Sequence, residues 1–124
     1  MKLSDFKTYD IRHFTPAEVI AVSKGLETVD VDLIWRLDRL RRQLRVPIIL
    51  TELNKLKHAK NSYHYRNPCR AADYKTKAPR CKVMQAAVDV KLPGFGVYKW
   101  GYHSDSRMKS AFWKYNNHGY VPLI

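Results

Sequence analysis

His64, Asp73 and His103 are the side chains of this sequence whose types suit a catalytic metal. Two imidazoles and one carboxylate make a known catalytic zinc set, with water filling the fourth position. By the pattern of the chain, His64 lies in a long polar loop, Asp73 at or near a strand, and His103 in the last hairpin. Spacing alone does not set them apart from the other histidines, so the elements that would carry them matter.

His13-Phe14-Thr15-Pro16-Ala17-Glu18 reads as a helix start, with Thr15 as cap, Pro16 in the first turn and Glu18 three residues after the cap. This helix carries Val19, Ile20 and Val22 and stops at Gly25. A second helix begins near Asp30. Leu33, Ile34, Leu37, Leu40 and Leu44 follow the i, i+3, i+4, i+7 rule, while Arg36, Asp38, Arg39 and Arg42 lie off that stripe. Pro47 ends it, and Ile48–Thr51 reads as a short buried strand. Residues 52–69 are polar and basic with few apolar anchors, which predicts a long surface loop of the kind that is either functional or disordered. Ala71–Tyr74 is the next strand. Pro79 opens a third helix with Val83, Met84, Ala87 and Val90, closing before Pro93-Gly94. Phe95–Tyr98 and Gly101–Ser104 then form a hairpin, and Phe112, Trp113, Tyr115 and Tyr120 of the tail pack over one end of the core. The sum is one α+β domain over residues 1–124, a small antiparallel sheet flanked by about three helices.

The length of 124 residues fits one domain, and 45% hydrophobic residues suffice for a core. No apolar run approaches the roughly 18 residues needed to span a membrane. The N-terminal MKLSDFKTYD lacks the apolar centre of a secretory signal, so action outside the cytoplasm requires another means of delivery. A net charge of +12 predicts attraction to polyanions: nucleic acid, anionic lipid or acidic cell-wall polymer. The cluster RLDRLRRQLR reads first as the solvated face of the second helix. Cys69 and Cys81 match no CxxC spacing and are expected to be reduced thiols.

Ser62-Tyr63-His64 followed by Arg70-Ala71-Ala72-Asp73 resembles the Ser-x-His-x-x-Gly-Arg-Ala-Ala-Asp signature of the zinc D-alanyl-D-alanine carboxypeptidases. That family includes phage endolysins cutting the L-alanyl-D-glutamate bond, and hedgehog-like domains share its fold. The resemblance runs in order along residues 13–115. His13-Phe14 is similar to the family's opening, and Leu37-Asp38-Arg39-Leu40-Arg41 with Val46-Pro47-Ile48-Ile49 to its helix and first strand. Gly94-Phe95-Gly96-Val97-Tyr98, His103-Ser104-Asp105-Ser106-Arg107 and Trp113 are similar to its ending. The resemblance implies a hedgehog/DD-peptidase-like fold and Zn2+ on His64, Asp73 and His103. It also implies a peptidoglycan peptide as substrate, with Ser62 near it.

Three departures from the pattern matter: the stretch from His64 to Asp73, position 55 and position 100. Asp73 follows His64 by nine residues, not seven, and Cys69 replaces the signature glycine. Packing or simple exposure, not ligation, is the expected role of that thiol. Lys55 stands where the family keeps an arginine that steadies charge on the attacked carbonyl; it supplies charge without the two-pronged geometry. Trp100 stands where many members carry the acid that serves as general base. Asp105, two residues after His103 and on the same strand face, is the substitute, either as base or as a group orienting a ligand.

The implied activity is hydrolysis of peptidoglycan peptides by a D,D-carboxypeptidase or endolysin-type endopeptidase. A monomer of phage or prophage origin, released to the wall through a membrane pore, would fit the missing signal, and its charge would aid adhesion to anionic wall polymer. Two other readings stand beside it. One is a catalytically impaired zinc- or wall-binding module of the same fold. The other is a nucleic-acid binder using the charge with Tyr63, Tyr65, Tyr74, Trp100 and Tyr102, although no nucleic-acid-binding motif is present.

Overall fold

In the computed structural model, which describes every residue except 117 and 124, the chain forms one mixed sheet and four α-helices. The helices are α1 (Asp5–Thr8), α2 (Pro16–Ala21), α3 (Val31–Leu44) and α4 (Arg80–Asp89). The strands are β1 (Ile48–Glu52), β2 (Ala71–Thr76), β3 (Gly94–Val97), β4 (Tyr102–Asp105), β5 (Ala111–Asn116) and β6 (Gly119–Pro122). Among the described residues no helix is long and apolar enough to cross a membrane.

Local chemistry sets the helix ends. At α2 the Thr15 hydroxyl accepts from the Glu18 N–H, and the Glu18 carboxylate accepts from the Thr15 N–H, a complete capping box. The helix ends at Ala21, before the Gly25 expected, and Gly25 then turns the chain at φ 119°. α3 buries Leu33, Ile34, Leu37 and Leu40 as its stripe requires, and Arg45 closes it in the left-handed conformation ahead of Pro47.

Asp38 corrects the reading that placed it off the stripe. Its side chain is buried, with Oδ1 accepting from the N–H groups of Arg12 (3.2 Å) and His13 (2.7 Å) and Oδ2 facing Arg42 at 3.3 Å. It therefore pins the incoming segment before α2 onto α3. Asp38→Ala leaves those donors without their acceptor, and a loss of about 1–3 kcal/mol is expected in denaturant unfolding. An unchanged midpoint would show that water replaces the carboxylate.

The sheet runs β1-β2-β4-β3-β5-β6. It is larger than the small antiparallel sheet expected, because the aromatic tail, of which Phe112 packs against the core, is itself drawn into the sheet. That tail forms β5 and β6, and β5 joins β3 in parallel, the one parallel pair among four antiparallel ones. Tyr115 and Tyr120 consequently stand exposed on this added edge.

Alternation along the central strands divides them into two faces. Tyr74, Tyr102, Phe95 and Val97 join Leu33, Leu37 and Leu40 of α3 and Val83 and Ala87 of α4 in one core. Within it the Tyr74 hydroxyl pairs with the Ser104 hydroxyl at 2.7 Å. Asp73, His103 and Asp105 occupy the other set of positions, towards the long loop between β1 and β2.

Candidate metal centre

Register brings the site residues into line. Across the sheet, Glu52 pairs with Asp73, Asp73 with His103, His103 with Gly96, and Gly96 with Trp113. Directly opposed residues project on one side of a sheet, so Asp73 and His103 stand next to each other. The next row holds Ala71, Asp105 and Gly94.

His64 arrives from the loop. Two anchors bring the loop back over the sheet: buried Leu53, whose N–H donates to the Val22 carbonyl at 2.9 Å, and buried Cys69, bridged to Val29. Cys69 is packed, not a ligand. Its Sγ–H donates to the Ala71 carbonyl at 3.2 Å, and burial pushes the thiol up to about 11. Both cysteines are free, with Cys81 exposed.

The three side chains converge. His64 Nε2 lies 3.2 Å from Asp73 Oδ1, and His103 Nδ1 lies 3.1 Å from the same oxygen. One ligand atom from each residue falls within 4.8 Å of the others, a group able to hold a metal ion. The remaining ring nitrogens are committed elsewhere: His64 Nδ1–H donates to the Leu53 carbonyl at 2.6 Å, and His103 Nε2–H to Asp105 Oδ2 at 2.8 Å. Such partners fix ring orientation, and a cation displacing the protons that the rings share with Asp73 would meet a lone pair on each ring. The donor set and its supports fit a bound divalent cation.

Electrostatics follow from burial and from these contacts. Burial alone would raise the Asp73 carboxyl, but hydrogen bonds from His103 and His64 outweigh it and hold the group at about 2. Burial disfavours charge on His103, yet Asp105 and Asp73 on either side raise its pKa above the ordinary value. Asp105 is fully buried. Burial raises its carboxyl, and the Arg107 fork (2.7 Å to each oxygen) together with His103 brings it down to about 2. The Arg107 guanidinium is itself held between the rings of Tyr63 and Trp113, 4.8 Å from each.

Asp105→Asn keeps the shape but loses this charge, and metal affinity is expected to fall about 10–100-fold, as read by competition with a chromogenic chelator. The same variant tests stability. A carboxyl lowered on folding stabilises fully above its unfolded value of 3.8 and loses that contribution as pH falls through about 2, so the variant should lack this acid phase.

A cavity of about 570 Å3 opens over the three donors, walled by Ser62, Tyr63, Tyr98, Trp100, Arg107 and Trp113 among others. Ser62 lines it and accepts the His64 N–H at 3.2 Å. Lys55 does not. Its Nζ donates to the Ala21 carbonyl at 3.0 Å, and its side chain lines a neighbouring cleft. Sequence reasoning passed over His58, whose ring stacks on His64 (4.2 Å between centroids, 8° apart) and whose Nε2 meets Glu52 Oε2 at 2.9 Å. No sequence signal marks that pair, since the two residues meet only when the loop folds back. No family model, curated protein or solved structure matches the chain.

Proposed function

We propose that this protein is a zinc-dependent peptidase of hedgehog/DD-peptidase-like fold, acting on the peptides of peptidoglycan. The observation that carries the proposal is the convergence of His64 Nε2, Asp73 Oδ1 and His103 Nδ1 from three separate segments, at the positions where the signature resemblance puts ligands. Zinc held there supplies a Lewis acid that polarises a peptide carbonyl and brings the pKa of a ligated water to about 7.

The chain's own residues complete the site. Asp105, with both oxygens taken by Arg107 and one shared with His103, orients the His103 ring and acts as a positioning residue, not as the base. Ser62 holds the loop backbone at His64. His58 is the imidazole on the cavity wall outside the donor set. With its Nε2 proton directed at Glu52, the lone pair falls on Nδ1, and this atom would take the proton given up by the attacking water, in place of the acid absent at Trp100.

One observation favours the impaired-module reading: among the described residues lining the cavity, Asp73 is the sole carboxylate, and both histidines engage it. The nucleic-acid reading loses two of its aromatics, since Tyr74 and Tyr102 are buried.

His58→Ala separates the first two. Zinc content should match the wild type while release of D-alanine or L-alanine from a stem pentapeptide, followed by mass spectrometry, falls about 100-fold or more, the range of general-base loss. Undiminished release would remove His58 from the reaction. A zinc-loaded wild type that binds the peptide and leaves it intact would establish the non-catalytic module instead.

A further inference from the structure

Beside the metal cavity lies a second concavity of about 1000 Å3, and the two share Tyr98, Trp100 and Tyr120 as lining residues. Its floor is aromatic. Tyr98 stacks on Trp100 (4.9 Å between centroids, 20°) and on Tyr115 (5.7 Å, 20°), and Tyr120 meets Tyr115 edge-on at 5.2 Å. Trp100, Tyr115 and Tyr120 are nevertheless 46%, 46% and 69% exposed. Contiguous exposed rings of this kind mark a binding surface, because they leave apolar area in water without any gain to the core. Arg80, Lys99 and Lys114 line the same concavity, and among the described residues no acidic one does.

We infer that this aromatic cleft is a glycan-binding subsite, holding the sugar rings attached to the peptide that enters the metal cavity. The identity of that sugar, an N-acetylated amino-sugar strand, rests on the peptidase reading. A pyranose ring carries a face of C–H bonds, which lies flat on an exposed indole or phenol face while its hydroxyl edges stay wet. Lys99 and Lys114 then answer the carboxylates of the attached peptide.

The alternative occupant of such a surface is a single-stranded nucleic acid, which needs a cationic groove tracking the phosphates beside the stacking rings. Here the cleft holds three cations, Arg80, Lys99 and Lys114, and the larger set of arginines lies on other clefts. Arg80 is committed to the Tyr98 carbonyl at 2.9 Å and to the Tyr102 ring. Arg39, Arg41 and Arg42 of α3, with Arg45 just after it, line two other clefts, and these share no lining residue with the aromatic one.

The test is direct binding of an oligomer of β-1,4-linked N-acetylglucosamine to the full-length protein, followed by tryptophan fluorescence and calorimetry. Binding should weaken about tenfold or more in Tyr115→Ala and in Trp100→Ala, both surface substitutions, and persist in Arg45→Ala on the separate face. Circular dichroism would confirm that each variant is folded. Absence of binding by the wild type, or binding indifferent to both aromatic variants, overturns the inference. So does salt-sensitive binding of an oligothymidylate that the aromatic variants abolish while the sugar is ignored. The peptidase reading fails separately, by absence of cleavage of a sugar-free stem peptide. Sugar binding without cleavage keeps the subsite and discards the peptidase, and cleavage without sugar binding does the reverse.

Discussion

Asp73→Ala is expected to abolish metal retention, with an affinity loss beyond the roughly 10–100-fold that follows removal of a supporting partner. Asp73 Oδ1 is the shared point between the two histidines, and it supplies the negative charge of the donor set. Without it, His64 and His103 remain as neutral donors with their rings 5.1 Å apart at 69°. Asp73→Asn separates charge from shape: it retains an oxygen at the same place, so it should fold as the wild type does while still binding metal poorly. The measurement is metal content after gel filtration, with wild type and both variants loaded identically. One metal per chain in Asp73→Ala, held at wild-type affinity, would refute the assignment of the centre.

Gly94→Ala is expected to cost both stability and metal affinity, although position 94 is no part of the donor set. A Cβ there would lie 1.9 Å from Asp105 Oδ1. That carboxylate cannot yield, being fully buried and fixed by Arg107 on one side and His103 on the other. Either β3 shifts, at the 1–3 kcal/mol typical of about one methyl too many in a packed site, or Asp105 leaves and strands the Arg107 guanidinium and the His103 N–H at a larger cost. Thermal unfolding and chelator competition should therefore move together. Gly96→Ala is the comparison. Its Cβ would meet the indole of Trp113, a half-buried side chain held by a hydrogen bond to the Tyr98 hydroxyl and not by an ion pair, and a smaller effect is expected. A Gly94→Ala protein matching wild type in both measurements would mean that Asp105 is not packed against this strand.

Local order was written plainly in the chain. The α3 stripe, the Thr15–Glu18 capping box, Pro47 and the Pro93-Gly94 break each act within a few residues, so period and punctuation located those elements to within a few residues. The metal-ligand types could be named because a motif ties His64 and Asp73 to neighbours of recognisable kind. Their convergence was not contained in that spacing. It depends on the register that pairs Asp73 with His103 across thirty positions and on the anchors at Leu53 and Cys69 that fold the loop onto the sheet.

Other features had no local signature. β5 joins β3 in parallel, a pairing between strands whose own sequences show weak alternation, so the aromatic tail reads equally well as a cap over the core. Asp38 sits beside an apolar stripe as any solvated residue would, and its burial makes sense only once the N–H groups of Arg12 and His13 come to it. Glu52 and His58 find each other by the same kind of loop closure. The sequence alone determined which segments are helix or strand and which residue types suit a metal. Tertiary structure decided which polar groups are buried, what partners them and which aromatics remain exposed, because those depend on contacts between segments that no local pattern encodes.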